Sequence, residues 1–172
     1  EDPIKIYSSD NLGQCTLDLD EIKPSILKNV YFNNLSNCSD TSMELTGSVN
    51  FYKTKVLMDN IYFIDNIKGD DYLNIINSKF DFKNLFFENA NADALDIDYS
   101  KGEIKNINFN NCKNDAIDLS NSSIKIKGFK AKNIGDKALS VGENSYLNGE
   151  NIIIDNSFVG LAAKDQSEVD LK

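Results

Sequence analysis

Residues 93–98 read DALDID, residues 115–120 read DAIDLS and residues 137–142 read KALSVG. The three hexapeptides start 22 residues apart, and each holds an apolar, polar, apolar core: Leu95-Asp96-Ile97, Ile117-Asp118-Leu119 and Leu139-Ser140-Val141. That alternation belongs to a strand with one face buried. The same step reaches back to Leu73 and Ile75 and forward to Leu161 and Ala163. A fixed period of this size marks stacked repeats, because one repeat alone has nothing against which to bury its apolar face.

Two further strands accompany each repeat. One carries Val30 and Phe32, then Ile61 and Phe63, Leu85 and Phe87, Ile107 and Phe109, and Ile152 and Ile154; the other carries Phe80 and Phe82, Ile124 and Ile126, and Val169 and Leu171. Asn, Asp, Gly and Ser separate them, and no stretch has the 3.6-residue period of a helix. The expected fold is all-β: a right-handed, single-stranded parallel β-helix of about seven coils of roughly 22 residues, with three short strands per coil. A leucine-rich repeat fits less well, since the return segments NDAIDLS and DKALSVG alternate like strands. A left-handed β-helix would repeat near 18 residues, and no such period occurs.

The chain of 172 residues suits one domain. Residues 1–25 read as an irregular first coil or cap, 26–172 as regular coils, and 36–50 as a protruding loop. The opening Glu1-Asp2-Pro3 suggests a mature or excised segment, and the C-terminal end reads as uncapped, which would favour end-to-end or face-to-face self-association. Asn34, Asn66, Asn89, Asn111, Asn133 and Asn156 follow the second strand, where inward amides at a tight corner would bond from coil to coil. Gly142 is expected to supply a positive φ in the turn after Val141.

The net charge is −9, with no Arg, His or Trp. Nucleic acid and anionic membrane surfaces are therefore poor partners, and no run of 18 apolar residues suggests a membrane span. Neutral glycans, cations or a basic protein remain. Of the three cysteines, Cys112 falls on an inward position, while Cys15 and Cys38 either pair in an oxidising compartment or stay free.

The coils NLFFENANADALDIDYSKG, NINFNNCKNDAIDLSNS and KNIGDKALSVGENS resemble the parallel β-helix repeats of the pectin-lyase-like superfamily over about residues 26–172. DAIDLSNS followed by GDKALSVGE further resembles β-helix segments of bacterial surface or secreted proteins, some joined to spore-coat kinase-like domains. The resemblance implies a secreted or surface location and carbohydrate-related chemistry, although that fold hosts lyases, hydrolases, tailspikes and adhesins alike. Lyase chemistry in the superfamily leans on a basic residue plus calcium-binding acids, and hydrolase chemistry on clustered Asp with His. This chain has neither Arg nor His.

Three sets of residues could carry function. Asp71, Asp93, Asp115 and Lys137 form one column, and Asn74, Asp96 and Asp118 another, with Asp98 alongside. The acids are expected to face outward as a solvated strip, as a calcium site built from Asp93, Asp96, Asp98, Asp115 and Asp118, or as catalytic pairs drawn from Asp93, Asp96, Asp115 and Asp118 for glycan hydrolysis. Tyr31, Tyr62 and Phe86 fall between the inward residues of successive second strands. They should form an outward aromatic column that binds a sugar or packs beneath segment 36–50. Lys83, Lys105 and Lys127 read as a solubilising flank, with Glu103 as a partner.

The leading expectation is a non-catalytic surface module that binds carbohydrate or a protein along one face, with no certain cofactor beyond possible calcium. The alternatives are a carbohydrate-active enzyme, either polysaccharide lyase or glycoside hydrolase, and a rigid spacer or oligomerising stalk.

Overall fold

A computed structural model describes residues 2–10, 13, 15–19, 22–38 and 45–172. Its strands are β1 (Ile4–Tyr7), β2 (Thr16–Leu19), β3 (Ser25–Asn33), β4 (Gly47–Tyr52), β5 (Lys55–Ile64), β6 (Asp71–Ile76), β7 (Lys79–Ala90), β8 (Asp93–Asp98), β9 (Lys101–Cys112), β10 (Ile117–Ser120), β11 (Ser123–Gly142), β12 (Tyr146–Ala163) and β13 (Glu168–Leu171). All pair in parallel, in the order β1-β3-β5-β7-β9-β11-β10-β8-β6-β4-β2, with β12 on β11 and β13 on β12. The chain thus winds as a β-solenoid of about seven turns, each about 22 residues, and no helix occurs among the described residues.

Registers confirm the columns. Leu73 pairs with Leu95, Leu95 with Ile117, and Ile117 with Leu139. The inward aromatics stack along the axis, with Phe32–Phe63, Phe63–Phe87 and Phe87–Phe109 centroids 5.2, 4.5 and 4.9 Å apart. These spacings match the distance between neighbouring strands, so each coil places its ring directly on the last. Gly102 is the exception that proves useful. A Cβ there would stand 2.4 Å from the Phe80 ring, so a bare backbone makes room for Phe80 to lie against Phe82 at 4.6 Å.

The second and third strands expected in each coil are fused within β3, β5, β7, β9, β11 and β12, bent rather than broken. At each bend stands a residue with positive φ: Asn29, Asn60, Asn84, Asn106, Gly128 and Asn151. Asn tolerates the left-handed region better than most side chains, so the bend needs no break in the ladder. A second corner uses Asn34, Asp65, Asn89, Asn111, Asn133 and Asn156 in the same conformation.

This second corner corrects the expected asparagine ladder in two ways. Asp65 takes the corner where Asn66 was expected; Asn66 is buried and accepts the backbone N–H of Asn91. The amides do bond coil to coil, Asn111 to Asn89 at 3.1 Å, Asn133 to Asn111 at 3.0 Å and Asn156 to Asn133 at 2.9 Å. They do so on the exposed outside, because a left-handed corner turns the side chain away from the core. Gly142 likewise is not left-handed; Glu143 and Asn144 are.

A buried serine ladder closes the third corner. The hydroxyl oxygen of Ser100 accepts the N–H of Ser78 at 2.9 Å, that of Ser122 accepts from Ser100 at 2.9 Å, and that of Ser145 accepts from Ser122 at 3.0 Å. Each of these N–H groups would otherwise be buried without a partner. Cys15 and Cys38 are disulfide-bonded, tying the first coil to the second, and Cys112 is a buried free thiol as its inward position implied. The expected loop 36–50 falls partly outside the described residues; of the rest, Ser36, Cys38 and Leu45 are buried, and 47–50 are not loop but the buried start of β4.

Candidate functional site: an acidic ladder and a ring-stacked wall

The acidic columns lie on the wall made by β4, β6, β8 and β10. Asp71 and Asp93 open β6 and β8, Asp115 precedes β10, and all three were expected to reach into water, yet all three are buried. Their carboxylates turn along the axis instead. Asp93 Oδ1 accepts the N–H of Asp115 at 2.7 Å, and Asp115 Oδ1 accepts that of Lys137 at 2.8 Å. The Lys137 ammonium completes the ladder, 3.5 Å from Asp115 and in contact with Asp136.

Burial raises these carboxyls: Asp71 up to about 6 and Asp93 up to about 7, against hydrogen bonds that pull the other way. Beside them Asn74, almost wholly buried, donates to Asp71 and Asp96, each at 3.0 Å, and to Thr46 at 2.8 Å. Burial first, then the charges of Asp71, Asp98, Asp118 and Asp93, push Asp96 up to about 9. Asp98 is raised by burial and by Asp118 and Glu143. Asp96, Asp98 and Asp118 are the half-exposed members of the strip.

Of the four acids considered for catalysis, Asp93 and Asp115 are thus committed to backbone N–H groups, and Asp96 and Asp118 stand in register one coil apart. The calcium set finds no support in the geometry. Among the described residues no three or more Asp, Glu or Cys gather so as to hold a metal ion.

The aromatic column is on a different wall, the outer face of β3, β5, β7, β9, β11 and β12 just after their left-handed bends. One outward column runs Lys5, Tyr31, Tyr62, Phe86, Asn108, Lys130, Ile153, and its neighbour runs Tyr7, Asn33, Ile64, Glu88, Asn110, Lys132, Asp155. Tyr31 and Tyr62 stack at 4.2 Å and 13°, and Tyr62 and Phe86 at 4.7 Å and 10°. The rings therefore stand on edge, face to face along the axis, each half-buried. Burial, and then a hydrogen bond to Tyr31, raises the Tyr62 phenol.

The stack ends where Phe86 gives way to the shorter Asn108. There the wall opens into a groove of about 630 Å³ lined by Tyr62, Phe86, Asn108, Lys130 and Ile153 from the first column, and by Ile64, Glu88, Asn110, Lys132 and Asp155 from the second. Asn110 donates to Glu88 at 2.9 Å, and Lys132 lies 3.9 Å from Asp155. At the other end of the stack, Tyr31 borders a groove of about 410 Å³ with Lys5, Tyr7 and Asn33. No described residue of segment 36–50 lines either groove, and the middle of that segment lies outside the described residues. In the lysine flank, Lys105 lies 3.8 Å from Glu103, the expected partner, and Lys127 lies 3.3 Å from Glu150.

Neither a protein-family model nor a curated protein matches the chain. Among the described residues, no helix is long and apolar enough to cross a membrane.

Proposed function

We propose that this protein is a non-catalytic, extracellular or surface-displayed β-helix module of the pectin-lyase-like kind, which binds carbohydrate or a protein partner along the wall of Tyr31, Tyr62 and Phe86. The observation that carries this reading is the outward stack of three half-buried rings, at 4.2 and 4.7 Å, ending in an open groove with amides and balanced charges. Aromatic rings supply apolar contact area to the C–H face of a sugar, and Asn, Glu and Lys supply hydrogen bonds to hydroxyls. The Cys15–Cys38 disulfide favours an oxidising compartment, as expected outside the cytosol. Binding to a glycan array by the intact protein, weakened 10-fold or more in Phe86→Ala with the melting temperature retained, is the expected result. Undiminished binding in that variant would move the contact surface elsewhere.

A second reading rests on Asp96. A carboxyl held protonated at neutral pH beside Asp118, one coil away and half-exposed, has the makings of an acid paired with a base for glycoside hydrolysis. That reading requires reducing-end release from neutral or acidic polysaccharides, abolished in Asp96→Asn and in Asp118→Asn.

A further inference from the structure

We infer that the ring-bearing wall binds an uncharged glycan that spans the Tyr31–Tyr62–Phe86 stack along the solenoid axis and turns an end residue onto the open ring face at each end, through two separate subsites. The inference rests on the reading that this wall binds carbohydrate, and it adds the number of subsites, the ligand's direction and its charge.

Stacking decides where a sugar can sit. A pyranose needs the face of an aromatic ring. In this column Tyr62 has both faces covered, by Tyr31 on one side and Phe86 on the other. Only two ring faces remain, that of Tyr31 toward Lys5 and that of Phe86 toward Asn108. Each of these two faces borders a groove, of about 410 Å³ and about 630 Å³ respectively. A stack of rings presented only by their edges would make a ridge; this stack makes a ridge with a seat at each end.

The seats are separated by the three stacked rings. A sugar on Tyr31 and a sugar on Phe86 therefore lie about four strand spacings apart, on the order of 19 Å. One sugar cannot fill both, whereas a chain of about five residues can. Its direction is set by the two columns, which run in register along the axis, and Asn33 at one seat and Asn108 and Asn110 at the other offer paired donors and acceptors to hydroxyls.

Charge selects the ligand. In a chain of net charge −9, the larger groove balances Glu88 and Asp155 against Lys130 and Lys132, and the smaller adds one lysine, Lys5. Such a wall offers neither a polyanion nor a polycation the run of opposite charge it would need, but its amides suit a neutral polyhydroxylated chain.

The test is titration calorimetry with neutral gluco-, manno-, galacto- and xylo-oligosaccharides of one to eight residues, on the intact protein and on Tyr31→Asn and Phe86→Asn. Asn is the residue that the wall itself places next along the column, at Asn108, and unchanged melting temperatures establish that both variants fold. The expected result is a gain of 10-fold or more in affinity as the chain reaches about five residues, since the second seat then binds intramolecularly. Each single substitution uncovers one face of Tyr62 and moves that seat one strand spacing inward, so the gain should appear at about four residues instead of five, and Tyr31→Asn, Tyr62→Asn and Phe86→Asn combined should abolish it. Affinity independent of length, or lost in Phe86→Asn and untouched in Tyr31→Asn, would overturn the two-seat inference while leaving a carbohydrate-binding wall. Binding of no member of the series would overturn both.

Discussion

The carboxylate of Asp93 accepts the backbone N–H of Asp115, one coil along, at 2.7 Å. An acid in an exposed column would be free to change; an acid that satisfies a buried amide is part of the frame. Asp93→Ala leaves that N–H without a partner in a site that water does not reach, at a cost of about 1–3 kcal/mol. Asp93→Asn keeps an accepting oxygen and removes a carboxyl that burial already holds up at about 7. Urea unfolding at pH 8 should therefore show the Ala variant clearly weakened, with the midpoint lowered at unchanged slope, and the Asn variant within about 1 kcal/mol of the parent. Equal losses in the two would mean that the negative charge, not the hydrogen bond, is what the site requires.

Acid should stabilise this fold. Asp71, Asp93 and Asp96 are raised in the folded state to about 6, about 7 and about 9, above the ordinary carboxylate range that they regain on unfolding. Between those two ranges the folded chain binds more protons than the unfolded chain, so stability falls as pH rises. The contribution of these groups is complete below about pH 4 and is lost progressively above it, the loss ending near pH 6 for Asp71, near 7 for Asp93 and near 9 for Asp96. The melting temperature should drop across pH 5 to 9, and Asp96→Asn should flatten the upper part of that slope. A melting temperature that rises over this interval would contradict the burial of the ladder.

The core was legible because its residues are both apolar and periodic: Leu95, Ile117 and Leu139 announce a column at a fixed step, and apolar side chains have one place to go. The polar columns were half legible. Asp93 and Asp115 repeat as faithfully as the leucines, but a repeat does not say whether a short carboxylate points to water or folds along the axis to the next coil's N–H. That is a contact between coils, invisible within one. The left-handed corner at Asn111 follows from residue type, whereas the outward aim of its side chain depends on the path of the backbone. The serine ladder was missed although Ser78, Ser100 and Ser122 recur at 22 residues and Ser145 at 23. Attention to small polar residues at that interval would have found it. The outward column Tyr31, Tyr62, Phe86 was readable, and the groove beyond Phe86 was implicit in Asn108 at the next position. Nothing in the sequence said that the rings would face one another.

Two ladders of similar appearance should differ in what they contribute. Ser100 is buried, its oxygen accepts the N–H of Ser78, and its proton goes to the carbonyl of Asp98 at 2.7 Å. Ser100→Ala should cost about 1–3 kcal/mol through the orphaned N–H. Asn111 is exposed, so its amide bonds compete with water and matter little, while its φ of 57° matters more. Asn111→Gly should be close to neutral, and Asn111→Ala should cost about 1 kcal/mol or slightly more for a Cβ in the left-handed region. Thermal melts of the three variants test the contrast; a large loss in Asn111→Gly would show that the exposed amide ladder itself carries stability.

Reduction isolates the contribution of the first coil. Cys15 and Cys38 close a loop with a sequence separation of 23, and in the chain-entropy view such a cross-link stabilises by about 3 kcal/mol by restricting the unfolded chain. Cys112 will not confuse the measurement. It is buried, and burial pushes its thiol up to about 12, so it offers almost no thiolate for exchange with the bridge. Unfolding in urea with and without reductant should therefore show the midpoint falling on reduction, by the same amount in the parent and in Cys112→Ala, and not at all in Cys15→Ser with Cys38→Ser. Should reduction leave the parent unmoved, the strands β2 and β4 would hold the first coil in place without the bridge, and the bridge would have no share in the stability of the coils beyond.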